Sequence, residues 1–334
     1  MILKKHIVVV IIAVIVIMFT VRSCAAAEDP SFSGTFIQLT DITDAYSRQQ
    51  WKELFDYMTT LDIKYIIIQW TVYGEMNYLK TPDFTIKHRK SIEYILEETS
   101  NRNIKVFLGL YSDDQFWERL KAPPEIVEVY LKRQYVNATK IADDLLPLIS
   151  RYPSFWGWYI SEEIDDVNWQ TDYKQKILCN YLHELSKHLK KIMPTAKVGI
   201  SGFTNAGTDP ISLKELWENI FSNSSIDILF FQDGIGVNKL TFFELPIYLD
   251  AIKKAAETHN VHLSVIVEIM TMLKENPFTA EPAPISRILK QLTIASQFSN
   301  FGITAFSVPE YMTPLSGNKA QLLFEEYIRK CKKH

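Results

Sequence analysis

Eight short apolar runs, each followed by a segment of helical period, leave this chain very few folds. The runs lie at Gly34–Leu39, Tyr65–Trp70, Lys105–Leu110, Trp156–Ser161, Lys197–Ser201, Ile226–Phe231, His262–Val267 and Gly302–Ser307. Several are almost unbroken (KYIIIQW, IDILFF, LSVIV), which is the pattern of parallel strands covered on both faces. Between them, Arg48–Thr60 puts Trp51, Leu54, Phe55 and Met58 on one helical face. Further helices are expected at Lys87–Thr99, Glu125–Ile149, Tyr173–Ile192, Leu213–Phe221, Phe243–Thr258, Pro284–Phe298 and Asn318–Lys330. Strictly alternating strands and helices predict an α/β fold, a single (β/α)8 TIM barrel. A doubly wound open sheet is the alternative, but it usually opens with a glycine-rich turn after its first strand, and that position reads QLTDITD.

The 334 residues, 47% hydrophobic and 22% charged, suffice for one large core. A net charge of −3 gives no reason to expect nucleic acid. Lys4 and Lys5 precede an apolar run from Ile7 to Phe19, the layout of an export signal. Residues 1–27 are therefore expected to be a signal peptide or a membrane or lipid anchor, with residues 31–334 as the barrel domain. Ala25-Ala26-Ala27 offers a cleavage site, and Val21-Arg22-Ser23-Cys24 resembles a lipobox with Cys24 as the lipidated residue. An uncleaved anchor is the third option, and all three export the protein to the periplasm, the envelope or the medium. The membrane is expected as a partner only through this segment. Cys179 and Cys331 form no disulfide framework.

Barrel enzymes carry their chemistry at the C-terminal ends of the strands. Here those ends bear Gln38, Asp41, Gln69, Trp70, Tyr73, Glu75, Tyr111, Asp113, Asp114, Glu162, Glu163, Ser201, Gln232, Asp233, Glu268, Glu310 and Tyr311. Amides and carboxylates pair with hydroxyls and flat rings stack on sugar faces, so this mixture suits a carbohydrate. The densest point is FWGWYISEEID, Phe155 to Asp165, where an apolar strand ends in acids; VIVEIM places Glu268 in the same context. Two opposed carboxylates are the minimum kit for glycosidic bond cleavage. Strand alternation puts Gly157, Tyr159, Ser161 and Glu163 on one face and Trp158, Ile160 and Glu162 on the other. A solvated strand-to-helix loop, an acidic first helical turn or a salt bridge is the plainer reading of these acids.

GWYISEE resembles the fourth-strand signature of clan A glycoside hydrolases. That resemblance implies Glu163 as general acid/base and Glu268 as nucleophile of a retaining mechanism. Glu162 stands where the clan has an Asn that binds a sugar hydroxyl, and is expected to adjust Glu163 or to bind a hydroxyl itself. Over the whole chain after the signal, GTFIQ, IIQWT, GWYISEEID, FFQDGIG and SVPEYMTP resemble an exported bacterial barrel family, domain of unknown function 4434. The catalytic set is thus expected to be Glu163, Glu268 and Glu162. Gln38, Gln69, Trp70, Tyr111, Gln232, Asp233, Glu310 and Tyr311 are expected to bind substrate. Trp70, Tyr73, Tyr111, Trp117, Trp169 and Tyr311 are the candidate stacking platforms, with core packing as the competing fate. Asp165 and Asp166 are expected to begin a helix or hold a loop.

No metal or cofactor is expected: of the seven His, only His262 lies on a strand, at the wrong end, and no phosphate loop or serine elbow occurs. The partner is then a polysaccharide or oligosaccharide and the chain a monomer. The Glu162 departure motivates one rival, a non-catalytic barrel that binds exopolysaccharide and assists its assembly or export.

Overall fold

Eight parallel strands close into a barrel in chain order: β1 (Phe32–Ile37), β2 (Tyr65–Ile68), β3 (Lys105–Gly109), β4 (Phe155–Ile164), β5 (Lys197–Gly202), β6 (Ile228–Gln232), β7 (His262–Glu268) and β8 (Ile303–Phe306). Parallel pairing of β8 with β1 completes the ring. The computed structural model describes residues 30–74 and 88–332, so the expected export segment with Cys24, and Glu75, lie outside the described residues. Among the described residues no helix is long and apolar enough to cross a membrane.

The helices that follow the strands are α1 (Arg48–Thr60), α2 (Arg89–Arg102), α3 (Pro124–Ile149), α4 (Asp172–Ile192), α5 (Pro210–Ser222), α6 (Leu245–Thr258), α7 (Ile285–Phe298) and α8 (Asn318–Cys331). Local chemistry starts several of them. Ser47 and Gln50 form a reciprocal capping box on α1, whose Trp51, Leu54, Phe55 and Met58 are buried as the spacing requires. Asp209 caps α5 ahead of Pro210 at its first turn.

Strand alternation divides the apolar residues into two layers. Phe36, Tyr65, Ile67, Phe107, Tyr159, Ile228, Phe230 and Ile266 fill the barrel interior. Ile37, Ile66, Ile68, Trp158, Ile160, Phe231, Val265 and Val267 belong to the layer shared with the helices. Counting two residues past an inward side chain therefore identifies what each strand presents at its mouth. Phe36 leads to Gln38, Ile67 to Gln69, Phe230 to Gln232 and Ile266 to Glu268.

β4 reaches the same end with a detour. Ile160 pairs with Ile200, yet Ser201 pairs with Glu163, so Ser161 and Glu162 are extra residues against β5. An insertion of two preserves parity, and Glu163 keeps the inward side that Tyr159 occupies. The strand consequently runs to Ile164, three residues beyond the apolar run that marks it in the sequence. A short parallel pair, Val72–Tyr73 with Tyr111–Ser112, and an antiparallel hairpin, Met270–Lys274 with Thr279–Pro282, rise above the C-terminal rim.

Candidate active site

The mouth of the barrel opens into a cavity of about 780 Å³, lined by both Glu163 and Glu268. Gln38, Gln69 and Gln232 lie in the same wall. Gln38 donates from Nε2 to Gln69 Oε1 at 2.7 Å. Trp117, Phe203, Phe278 and Tyr311 supply aromatic surface. Trp117 and Phe278 are exposed while Phe203 is buried, so the former two are open platforms for a flat apolar face.

Glu163 accepts a hydrogen bond from Gln232 Nε2 at 3.0 Å. Burial pushes its carboxyl up, while the Lys239 charge and the Gln232 amide pull it back. Lys239 stands with its ammonium 3.5 Å from the centre of the Phe203 ring, a cation–π contact that seats it in the cavity wall. Burial lowers the Lys239 pKa against the opposing pull of Glu163, Glu268, Asp165 and Asp166.

Glu268 lines the same cavity, 3% exposed, with Oε2 accepting from Val237 N at 3.0 Å. That contact needs Gly236, because a Cβ there would lie 2.5 Å from Met270 O and 2.8 Å from the Glu268 Cβ. Burial raises the Glu268 carboxyl first, and the neighbouring Asp233 charge raises it further. Asp165 and Asp166 hold loops, one of the two roles their sequence position suggests. Asp165 accepts from Asn168 N at 3.0 Å and Nδ2 at 2.9 Å. Asp166 receives Thr204 Oγ1 at 2.7 Å and the N–H groups of Asn205, Gly207 and Thr208 at 2.8, 2.8 and 3.0 Å. Burial works against the Asp166 carboxylate, but these donors outweigh it and its pKa falls. The loop so fixed carries Phe203 and Asn205 into the cavity.

Of the eleven residues expected to be catalytic or to bind substrate, Glu163, Glu268, Gln38, Gln69, Gln232 and Tyr311 meet at this cavity, as does the candidate platform Trp117. The other five do not line it. Glu162 points to the helix layer, where it is 6% exposed and its pKa rises to about 7 through burial, with the Asp113 charge adding and the Tyr181 hydroxyl opposing. Trp70 packs on Tyr73 at 4.6 Å between ring centres and donates its indole N–H to Leu39 O at 2.9 Å. Tyr111 is buried, its hydroxyl donating to Gly74 O at 2.9 Å. Asp233, fully buried, lies behind Glu268 on the α7 side, its Oδ2 accepting from Gln291 Nε2 at 2.6 Å. Glu310 accepts from the Ser307 hydroxyl, and burial raises its pKa to about 7. Parity explains three of these placements: Trp70, Glu162 and Asp233 each adjoin an inward residue and so face outward. Trp169 is buried and Tyr73 exposed, and neither lines the cavity.

Lys239, Asn205 and the hairpin residues Met270, Met272, Glu275 and Phe278 also line the cavity without having been singled out. The hairpin had a signal, since Asn276-Pro277 is a turn dipeptide between residues that pair as strands. Lys239 had none; it is one lysine in a turn.

Residues 32–318 match the family model described as "Domain of unknown function (DUF4434)". The chain belongs to this family. A relative, uncharacterized protein YbcH of Escherichia coli K12, is 28% identical over 249 residues, covering 73% of this chain and 78% of its own. Among solved structures, a provisionally assigned alpha-L-fucosidase from Bacteroides thetaiotaomicron superposes with a TM-score of 0.73 at 19% identity, covering 93% of this chain and 97% of the other. An endo-1,4-beta-D-mannanase from Thermotoga petrophila gives a TM-score of 0.61 at 13% identity, covering 89% and 99%. At these identities the likeness establishes that this DUF4434 member shares the barrel fold of those proteins.

Proposed function

We propose that this DUF4434 barrel hydrolyses glycosidic bonds, with Glu163 as general acid/base and Glu268 as nucleophile. The observation that carries the reading is that these two carboxyls, 105 positions apart in the chain, line one open cavity at the strand ends among amides and exposed rings. The solved relatives of this fold named as a fucosidase and a mannanase support it. In the proposed reaction the Glu163 carboxyl protonates the departing glycosidic oxygen while ionised Glu268 attacks the anomeric carbon. Water, deprotonated by Glu163, then releases the sugar with retained configuration. Gln38, Gln69 and Gln232 orient hydroxyls, and Trp117, Phe278 and Tyr311 stack on sugar faces.

We place the reaction outside the cytoplasm, on the strength of Lys4, Lys5 and the apolar run from Ile7 to Phe19. A fusion of residues 1–30 to a reporter active only after export tests this, and a silent reporter refutes it.

The deciding experiment is a screen of purified protein for reducing-end release from bacterial and plant glycans, with Glu268→Gln beside the wild type. Release by the wild type and none by the variant supports the assignment. Equal release by both rejects it. Glycan binding by both proteins with no release by either makes this a carbohydrate-binding barrel instead.

A further inference from the structure

We propose that Asp233 is a positioning residue for Glu268: with Gln291 and Arg287 of α7 it forms a buried charged clamp that fixes the Glu268 backbone and places an anion behind its carboxyl. This deepens the two-carboxylate reading and rests on it for its consequence in catalysis. Its test needs no turnover.

The clamp is closed on every side. Asp233 Oδ2 accepts from Gln291 Nε2 at 2.6 Å, and the same amide nitrogen lies 3.2 Å from Glu268 O. Arg287 Nη2 donates to Glu268 O at 2.8 Å and also reaches Met270 O. Asp233 Oδ1 takes Ile235 N at 3.2 Å and lies 3.4 Å from Glu268 N. Glu268 is thus gripped at its N–H by the residue that follows β6 and at its carbonyl by α7. Asp233 and Gln291 are both fully buried, so solvent screens little of what they do.

A network whose only task was to hold backbone could be neutral, yet this one carries a carboxylate and a guanidinium. Three charged groups act on the Glu268 carboxyl: Asp233 opposes its ionisation, and Lys239 and Arg287 favour it. Glu163 lines the same cavity. Asp233 is the largest electrostatic influence on Glu268 after burial, and its net effect is to keep the proton on. Exchanging Asp233 for an amide removes that opposition while filling the same volume. The amide can be accommodated, because Gln291 Oε1 is buried without a partner and a rotation of the Gln291 side-chain amide lets it accept from the new donor.

The test is a ¹³C NMR titration of the glutamate side-chain carboxyls in the full chain, with the Glu268 resonance assigned by its loss in Glu268→Gln. In Asp233→Asn the Glu268 midpoint should fall by about one pH unit or more, roughly a tenfold loss of proton affinity. In Arg287→Met it should rise, since a cation is removed. An unchanged midpoint in folded Asp233→Asn overturns the proposal. If that variant does not fold, an unchanged or lowered midpoint in Arg287→Met does so. The titration stands apart from the glycan screen: a shifted midpoint without glycan release leaves the clamp in place and fails the hydrolase reading, and the reverse result fails only the clamp.

Discussion

The barrel mouth carries two buried acid pairs, and they are built on different plans. At the end of β4, Glu162 and Glu163 adjoin in sequence but point to opposite sides of the sheet, Glu163 into the cavity and Glu162 among Asp113 and Tyr181 beneath the helices. On the β6–β7 side, Asp233 and Glu268 come from different strands and act on the same carboxyl environment, with α7 closing it from behind. Adjacency in the chain separates two acids when a strand carries them; distance in the chain unites two when neighbouring strands do. The cavity-facing members differ accordingly. Glu163 faces an amide donor and an ammonium, both of which favour the carboxylate, whereas Glu268 has an anion at its back.

The harshest way to break this comparison is to neutralise each acid in turn. Glu163→Gln and Glu268→Gln should each lower kcat by a factor on the order of 10³ or more, as expected for removing a general acid/base or a nucleophile. Glu162→Gln, one residue away, should stay within about tenfold of wild type, because its side chain points away from the cavity. Steady-state kinetics on whichever glycan the screen returns checks this. Equal losses for Glu162→Gln and Glu163→Gln would mean the two faces of β4 are not functionally distinct.

Glu162 should instead show itself in stability. Its folded pKa of about 7 lies above the ordinary carboxylate value, so the folded state holds the proton more tightly than the unfolded chain. The stability tied to that proton is full below about pH 4.5 and is lost as pH rises through about 7. Glu310, raised to the same value, adds a slope of the same sign. Urea midpoints of the wild type measured between pH 4.5 and 8 should therefore fall with rising pH, and Glu162→Gln should flatten the fall by about 1–3 kcal/mol. A slope identical in the variant would put Glu162 in water, contrary to its placement.

This contrast also marks how far the sequence could be read. The eight strands were legible because parallel strands covered on both faces read as apolar runs, and Tyr65–Ile68 needs no more than its own four residues to be recognised. Their ends were less so: β1 begins at Phe32, two residues early, where the Tyr327 hydroxyl from α8 accepts the Phe32 N–H at 2.8 Å. At the mouth, composition alone could not separate Gln69 from Trp70 or Gln232 from Asp233. Alternation counted from Ile67 and Phe230 does separate them, and the same count puts Glu163 inward and Glu162 outward. What stayed hidden was contact between distant segments. Nothing local marks Gln291 or Arg287 as the backing of Glu268, and nothing marks Lys239 as a wall of the cavity.

Lys239 gives the smallest effect and the finest test of the asymmetry between the two walls. Its ammonium acts on Glu163 first and on Glu268 second. Lys239→Met removes a charge that favours ionisation, so Glu163 should hold its proton to higher pH, by about half to one pH unit for a pair near the protein surface. Glu268 holds its proton more tightly than Glu163 in the free protein, so the acid limb of the kcat/KM profile follows Glu163 and the alkaline limb Glu268. Lys239→Met therefore moves the acid limb up by that amount and the alkaline limb up less. Asp233→Asn acts on the other limb and in the opposite direction, lowering the alkaline limb and leaving the acid one nearly in place. Measured together, the two profiles report whether each wall tunes its own carboxyl. If Lys239→Met leaves both limbs unmoved and raises KM alone, the ammonium serves to hold substrate, and the charge asymmetry between Glu163 and Glu268 comes from Asp233 without it.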